Sequence, residues 1–213
     1  MMIHNVLIVE DDPMAQKLLE IFVDGNSSFQ VVHVIESAAM AELYCTNSDI
    51  DLVLMDVCTA MNASGLDAAE KIKHRFPHIK IVIITSQPEC SFLDRARNAG
   101  VESFWYKTAS AEELLTVMAR TMEGHHIYPD TTPTLRLGDA VSEDFSDREL
   151  EVLRLVVAGE TDAAIAEKLY MSLRTVKHHI QSMKDKTGFR NRTELAVRAR
   201  AKGLIINKLQ SSE

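Results

Sequence analysis

Five side chains suited to phosphoryl chemistry lie far apart in the chain but at equivalent places in it. Glu10 and Asp11 follow the apolar run VLIV (6–9), with Asp12 just beyond. Asp56 closes DLVLMD, Thr85 closes IVIIT and Lys107 closes FWYK, at spacings of 29 and 22 residues. If these runs are strands of one parallel sheet, all five groups gather outside its carboxyl ends, where open α/β sheets bind ligands. Carboxylates brought together repel unless a cation joins them, and an oxygen-only donor set suits Mg²⁺. Asp56 is then placed as a carboxylate nucleophile that forms an acyl phosphate. The Thr85 hydroxyl and the Lys107 ammonium reach phosphoryl oxygens, and Lys107 with the cation offsets charge during transfer.

The pattern of elements supports that placement. Apolar runs at 6–9, 31–35, 51–55, 81–84 and 102–106 alternate with helix-like stretches near 14–24, 38–47, 65–76, 89–99 and 110–122. Five short strands alternating with helices imply a doubly wound parallel sheet covered on both faces. Residues 1–123 are read as this α/β domain. Residues 124–142, with two prolines, two glycines and no helical period, are read as a linker. The adjacent His125 and His126 have no further ligands at metal spacing and read as polar linker.

A second constellation lies in residues 143–206, followed by a tail at 207–213. Four helices are expected: Asp147–Ala158, Asp162–Leu169, a third capped by Ser172 and stopped by Gly188, and a fourth near Arg192–Lys202 closed by Gly203. In the third helix Val176, Ile180 and Met183 recur at core spacing. The opposite face carries Arg174, Lys177, His178, Gln181 and Asp185. A helix fits the DNA major groove; Lys177 can donate to guanine and Gln181 can pair with adenine. Thr175, Lys184, Lys186, Arg190 and Arg192 are placed for phosphate contacts, which position without specifying sequence. His178 and His179 point about 100° apart on a helix and do not chelate together.

Composition sets the bounds. The chain has 213 residues, 46% hydrophobic and 25% charged, as globular proteins do. Its net charge of −8 hides an asymmetry. Residues 1–142 hold 10 Lys and Arg against 20 Asp and Glu, whereas residues 172–203 hold 9 against 2. The local field at a docking face governs attraction to phosphates, so overall acidity does not exclude DNA. No membrane span or signal peptide is expected, and Cys45, Cys58 and Cys90 read as reduced thiols of a cytoplasmic protein. No HExxH, GxSxG or Walker-type loop is present. Cys58 stands where a haloacid-type phosphatase carries its second Asp. The expectation is a non-enzyme with at most slow self-dephosphorylation.

Residues 1–122 resemble the receiver domain of two-component response regulators, on Glu10, Asp11, Asp56, Thr85 and Lys107. The resemblance implies a flavodoxin-like fold with Asp56 as phosphoacceptor and Thr85 as switch hydroxyl. It implies Mg²⁺ held by Asp11, by Asp56 and by the backbone carbonyl of Cys58, with Glu10 acting through water. Phe104, three residues before the lysine, falls where that family places a rotating aromatic switch; an aromatic at a strand end also reads as core. Ala60 stands where the family usually has Pro, the stretch from Asp56 to Gly65 is one residue longer than usual, and Thr108 follows Lys107 where Pro or Asp is common. Residues 143–206 resemble the LuxR-type (GerE-like) helix-turn-helix domain, on SDRELEVLRL, AGETDAAIAEKL, MSLRTVKHHIQSMKDKTG and NRTELA. Lys177, His178 and Gln181 sit where that family contacts bases, and the fourth helix where it dimerises on DNA. Together the two halves resemble the NarL/FixJ class of response regulators. The implied function is a transcription regulator phosphorylated on Asp56 by a sensor histidine kinase and binding duplex DNA as a homodimer, with RNA polymerase a candidate partner. The alternative is an atypical receiver whose control of the same DNA-binding output does not need phosphorylation.

Overall fold

In a computed structural model of the chain, residues 3–86, 89, 92–107, 110–130 and 132–205 are described. They form two compact units, one built from residues 3–86 and 92–130 and the other chiefly from 132–205. The first unit runs β1 (His4–Val9), α1 (Pro13–Asp24), β2 (Phe29–Ile35), α2 (Ala41–Asn47), β3 (Leu52–Asp56), a short ribbon of β4 (Cys58–Thr59) and β5 (Ala63–Ser64), α3 (Gly65–Arg75), β6 (Lys80–Thr85), α4 (Phe92–Asn98), β7 (Ser103–Tyr106) and α5 (Ala111–Met122). Cys90, Thr108 and the 207–213 tail lie outside the described residues, as does part of the expected 89–99 helix.

The main sheet is parallel, in the order β2-β1-β3-β6-β7. Its three inner strands carry the apolar runs; Leu52 to Asp56 and Ile81 to Thr85 are buried throughout, as strands covered on both faces must be. Strand order reverses between β1 and β3, which opens a crevice at their carboxyl ends. Helix starts are fixed locally. The Asp12 carboxylate accepts the Met14 and Ala15 amides at 2.9 and 2.8 Å with Pro13 in the first turn, and Ser64 and Ser110 cap α3 and α5.

The stretch expected to be linker is partly built into both units. Ile127 bridges to Ser103, the Phe104 amide donates to the Ile127 carbonyl at 2.8 Å, and the Tyr128 hydroxyl donates to the Val101 carbonyl at 2.8 Å. This caps the otherwise open edge of β7. Farther on, β8 (Arg136–Leu137) and β9 (Ala140–Val141) form a hairpin turning at Gly138, whose φ is 65°. A Cβ on Gly138 would meet the Thr187 carbonyl oxygen at 2.1 Å, so the hairpin lies against its own unit's third helix only because that side chain is absent.

The second unit continues with α6 (Asp147–Val157), α7 (Asp162–Lys168), α8 (Leu173–Thr187) and α9 (Arg192–Ala201). Its core joins Val152, Leu153 and Val156 of α6 to Ile165 of α7, Val176, Ile180 and Met183 of α8, and Leu195 and Ala199 of α9. Between α7 and α8 the turn passes through Tyr170, which adopts φ 52° with its ring in solvent. Gly188, at φ 73°, ends α8.

Candidate functional site

The sheet brings the five groups together. Asp56 ends β3 opposite Ile84 of β6; Thr85 pairs with Tyr106 of β7, and the Lys107 amide donates to the Thr85 carbonyl at 2.8 Å. Glu10 and Asp11 follow β1, the neighbour of β3. Ligand atoms of Glu10, Asp11 and Asp56 all lie within 4.8 Å of one another. The Lys107 ammonium stands 3.0 Å from Asp56 Oδ2 and also donates to Glu10 Oε2. Asp56 Oδ1 accepts the Val57 amide at 2.7 Å, and Glu10 Oε1 accepts the Asp12 amide at 3.1 Å. Thr85 and Glu10 are buried, Asp11 is exposed, and Cys58 is half-buried two residues beyond Asp56.

Three carboxylates face one ammonium, so two negative charges stay unbalanced. Burial pushes the Asp56 carboxyl up to about 6, Glu10 adds to the rise, and Lys107 and the Val57 amide oppose it. Burial alone would lower the Lys107 ammonium, but Asp56 and Glu10 outweigh it and hold its pKa above the usual value. A divalent cation fits this donor set: all donors are oxygens, one face is open at Asp11, and the charge it brings matches the imbalance. Phe104 is buried, its ring 5.1 Å from Tyr106 and 6.4 Å from Tyr128.

The unusual 57–64 stretch has a physical basis. Residues 58–64 form the β4–β5 ribbon, whose tip places Met61 and Asn62 at φ 61° and 56°. The ribbon is tied to the segment after β2. The Ala60 amide donates to the Glu36 carbonyl at 3.0 Å, Ser37 Oγ to the Ala60 carbonyl at 2.9 Å, and the Ala38 amide to Thr59 Oγ1 at 2.9 Å. A proline at 60 would lack the first of these donors. Sequence reading noted Gly65 only for its distance from Asp56 and missed its role: its amide donates to the Val57 carbonyl at 2.9 Å. A Cβ there would lie 1.8 Å from the Asp56 carbonyl oxygen. It also missed Gln16, which donates to the Glu10 carbonyl at 2.5 Å. No spacing rule singles out Gln16.

In the second unit, Arg174, Lys177, His178 and Gln181 project from α8 into solvent, with His179 half-buried behind them. Thr175 is half-buried, and its hydroxyl lies 2.7 Å from the cap Ser172. Lys184 donates to Gln181 Oε1 at 3.0 Å, and Arg190 is exposed. Two residues expected at phosphates have partners within the unit. Lys186 reaches Glu149 Oε2 at 2.7 Å and the Asp144 carbonyl at 2.8 Å. Arg192 holds the Asp162 carboxylate and the Glu160 carbonyl.

Glu149 is a hub that sequence reading did not single out, although Ser146-x-x-Glu149 has the spacing of a capping box. Its Oε2 accepts from the Ser146 amide at 2.8 Å and from Lys186, and its Oε1 accepts from Ser182 Oγ at 2.7 Å. Burial pushes this carboxyl up, but the hydrogen bonds from Lys186, Ser146 and Ser182 outweigh it and hold the pKa at about 2. One buried carboxylate thus fastens the start of α6 to the last turns of α8.

A flavodoxin-like unit with a phosphoacceptor-type acidic pocket, joined to a helix-turn-helix unit, defines a class of signal-responsive DNA-binding proteins. Comparison with known sequences bears this out. Residues 6–119 match the family described as "Response regulator receiver domain", and residues 143–199 match "Bacterial regulatory proteins, luxR family". The chain belongs to the response regulators with a LuxR-type helix-turn-helix, the architecture of the NarL/FixJ class. It is similar to the response regulator protein VraR of Staphylococcus aureus (strain Mu3), 28% identical over 208 residues, 94% of this chain and 98% of VraR. In fold it is similar to RcsB from Salmonella enterica serovar Typhimurium bound to promoter rprA in the presence of phosphomimetic BeF₃⁻. That likeness has a TM-score of 0.62 at 23% identity, over 91% of this chain and 96% of RcsB. It also resembles response regulator ChrA of a heme-sensing two-component system, with a TM-score of 0.52 at 22% identity, over 96% of this chain and 100% of ChrA.

Proposed function

We propose that this response regulator is phosphorylated on Asp56 by a sensor histidine kinase in a Mg²⁺-dependent step, and that phosphorylation raises its affinity for duplex DNA. The convergence of Asp56, Glu10, Asp11, Thr85 and Lys107 at adjacent strand ends carries this reading. Asp11, Asp56 and the Cys58 carbonyl would hold the cation, with Glu10 acting through water. When bound, Mg²⁺ supplies positive charge to the transferring phosphoryl group.

The chain's own residues do the rest. An ionised Asp56 oxygen forms the bond to phosphorus while the donor's bond to phosphorus breaks. Lys107 moves with the phosphoryl group, exchanging its Asp56 contact for a phosphoryl oxygen. Thr85 offers a hydroxyl from the next strand. Slow self-dephosphorylation is the only turnover expected. Closure of Thr85 and Lys107 on the phosphoryl group biases the receiver toward its active state. The second unit then binds through α8, as a homodimer on paired half-sites in the cytoplasm. RNA polymerase is a candidate partner at the bound promoter.

The test is intact mass after incubation with acetyl phosphate, with and without Mg²⁺. A single phosphoryl adduct that requires Mg²⁺ and disappears in Asp56→Asn is expected. No adduct would point to phosphorylation-independent control, and one that survives the substitution would count against Asp56 as the phosphoacceptor.

A further inference from the structure

The polar face of α8 contains one residue whose charge is wrong for its position. Asp185 is exposed in the last turns of the helix, two residues before its end at Thr187. A carboxylate there opposes the negative end of the helix dipole. It also lies in the segment with 9 basic and 2 acidic residues, on the face that would approach phosphates. Among the described residues no cation pairs with it: Lys186 is committed to Glu149 and Lys184 to Gln181. Its hydrogen bond is to Gln181, whose Nε2 donates to Asp185 Oδ1 at 2.7 Å.

That bond, together with the Lys184 contact, decides which way the Gln181 amide faces. An amide has two N–H donors and a carbonyl oxygen with two lone pairs. Asp185 takes one donor and Lys184 fills one lone pair, so one donor and one acceptor remain, in a fixed order along the helix. A flipped amide would set its oxygen against the carboxylate and its NH₂ against the ammonium. The major-groove edge of adenine offers the complementary pair, an N7 acceptor and an N6 donor. An unclamped glutamine can rotate to suit guanine, thymine or cytosine as well.

We propose that Asp185 is a specificity-positioning residue: it locks the Gln181 amide in the orientation that reads adenine, and its negative charge weakens binding to unrelated duplex. The inference rests on α8 being the DNA-reading helix of the proposed function. Removing Asp185 therefore moves two quantities in opposite directions. Discrimination at the base read by Gln181 falls, because the amide becomes free to pair with other bases. Affinity for arbitrary duplex rises, because one phosphate-repelling charge is gone.

The experiment uses the full chain with acetyl phosphate and Mg²⁺, a randomised duplex library, and sequencing of the bound fraction. Wild type, Gln181→Ala, Asp185→Ala and Asp185→Asn are compared, with salt-dependent binding to an unselected competitor duplex. In the wild-type motif one adenine position is expected to vanish in Gln181→Ala. Asp185→Ala should lower the preference at that same position by about tenfold, the scale of one bidentate base contact. It should leave the other positions intact and bind the competitor more tightly. Asp185→Asn keeps an acceptor for Gln181 Nε2, so it should retain the adenine preference while sharing the tighter competitor binding. A merely structural role would change all positions together, without rescue by Asn. Unchanged adenine preference in Asp185→Ala, or a motif unaffected by Gln181→Ala, overturns the inference alone. A wild type that selects no motif overturns the DNA reading and this inference with it.

Discussion

Replacing Glu149 with alanine should loosen the helix-turn-helix unit more than any surface substitution on it. The side chain is 4% exposed yet accepts hydrogen bonds from the Ser146 amide, Ser182 Oγ and Lys186. Loss of a helix cap costs about 1 kcal/mol, and loss of a hydrogen bond to a charged partner costs about 1.5–3 kcal/mol. Lys186 is 34% exposed and can regain water, which offsets part of that loss. A net destabilisation of about 3 kcal/mol follows, equivalent to a drop in Tm on the order of 15 °C for a unit of this size. Calorimetry on the full chain measures it. Hydrogen exchange on peptides spanning 146–157 and 173–187 shows whether both helices loosen together, as a shared tie requires.

The same group sets an acid limit. Its folded pKa of about 2 lies below the unfolded value of 4.5, so its stabilisation is complete above pH 4.5 and is lost as pH falls through 2. The full shift is equivalent to about 3 kcal/mol, or about 2 kcal/mol once water at the Lys186 end is allowed for. Glu149→Gln should flatten this part of the stability curve. A loss under about 1 kcal/mol in Glu149→Ala, given that a cap alone is worth that much, would refute the assignment of Glu149 as a tie. So would an acid profile identical to wild type in both variants.

Three further outcomes are expected in the first unit. Gly65→Ala must push its Cβ away from the Asp56 carbonyl oxygen, now 1.8 Å from the position it would take. It should cost about 3 kcal/mol in urea unfolding and slow labelling by acetyl phosphate. Asp56 holds its proton to about pH 6 in the folded chain, against an ordinary carboxyl value of 3.8, so without Mg²⁺ its contribution to stability falls as pH rises from 4 to 6. Asp56→Asn should therefore raise Tm at pH 7 in the absence of Mg²⁺, whereas Mg²⁺ should raise Tm of the wild type only. Glu102 is buried with Lys73 at 2.7 Å and Lys80 at 3.4 Å, and it accepts the Ile81 amide at 3.0 Å. Glu102→Ala leaves Lys73 buried without its counter-ion and should cost about 3–5 kcal/mol by urea unfolding.

The strands and the pocket they build were legible because strand ends are marked twice, by an apolar run and by the polar residue that stops it. Asp56, Thr85 and Lys107 each close such a run, and parallel pairing then leaves little choice about where they meet. Helix α8 was legible from the spacing of Val176, Ile180 and Met183 and from Ser172 and Gly188 at its ends. The stretch 38–47 instead begins with a 3₁₀ turn at Ala38–Met40 before α2, a distinction that an eight-to-ten-residue apolar pattern does not carry. Two-residue strands leave no period, so the β8–β9 hairpin was hidden, although Gly138-Asp139 is a hairpin turn pair. Lys186 and Arg192 were read as placed for phosphate contacts. Their partners Glu149 and Asp162 lie 37 and 30 residues away and meet them only through the packing of the bundle.

The coupling of pocket to output is tested most directly by DNA affinity of the full chain, with Mg²⁺ present, before and after treatment with acetyl phosphate. The duplex is one the protein itself selects from a random library. Wild type should bind more tightly after treatment, with a steep loss of affinity as salt rises, and Asp56→Asn should show the untreated affinity in both conditions. Equal affinity of treated and untreated wild type, in a sample whose mass shows Asp56 phosphorylated, would contradict it.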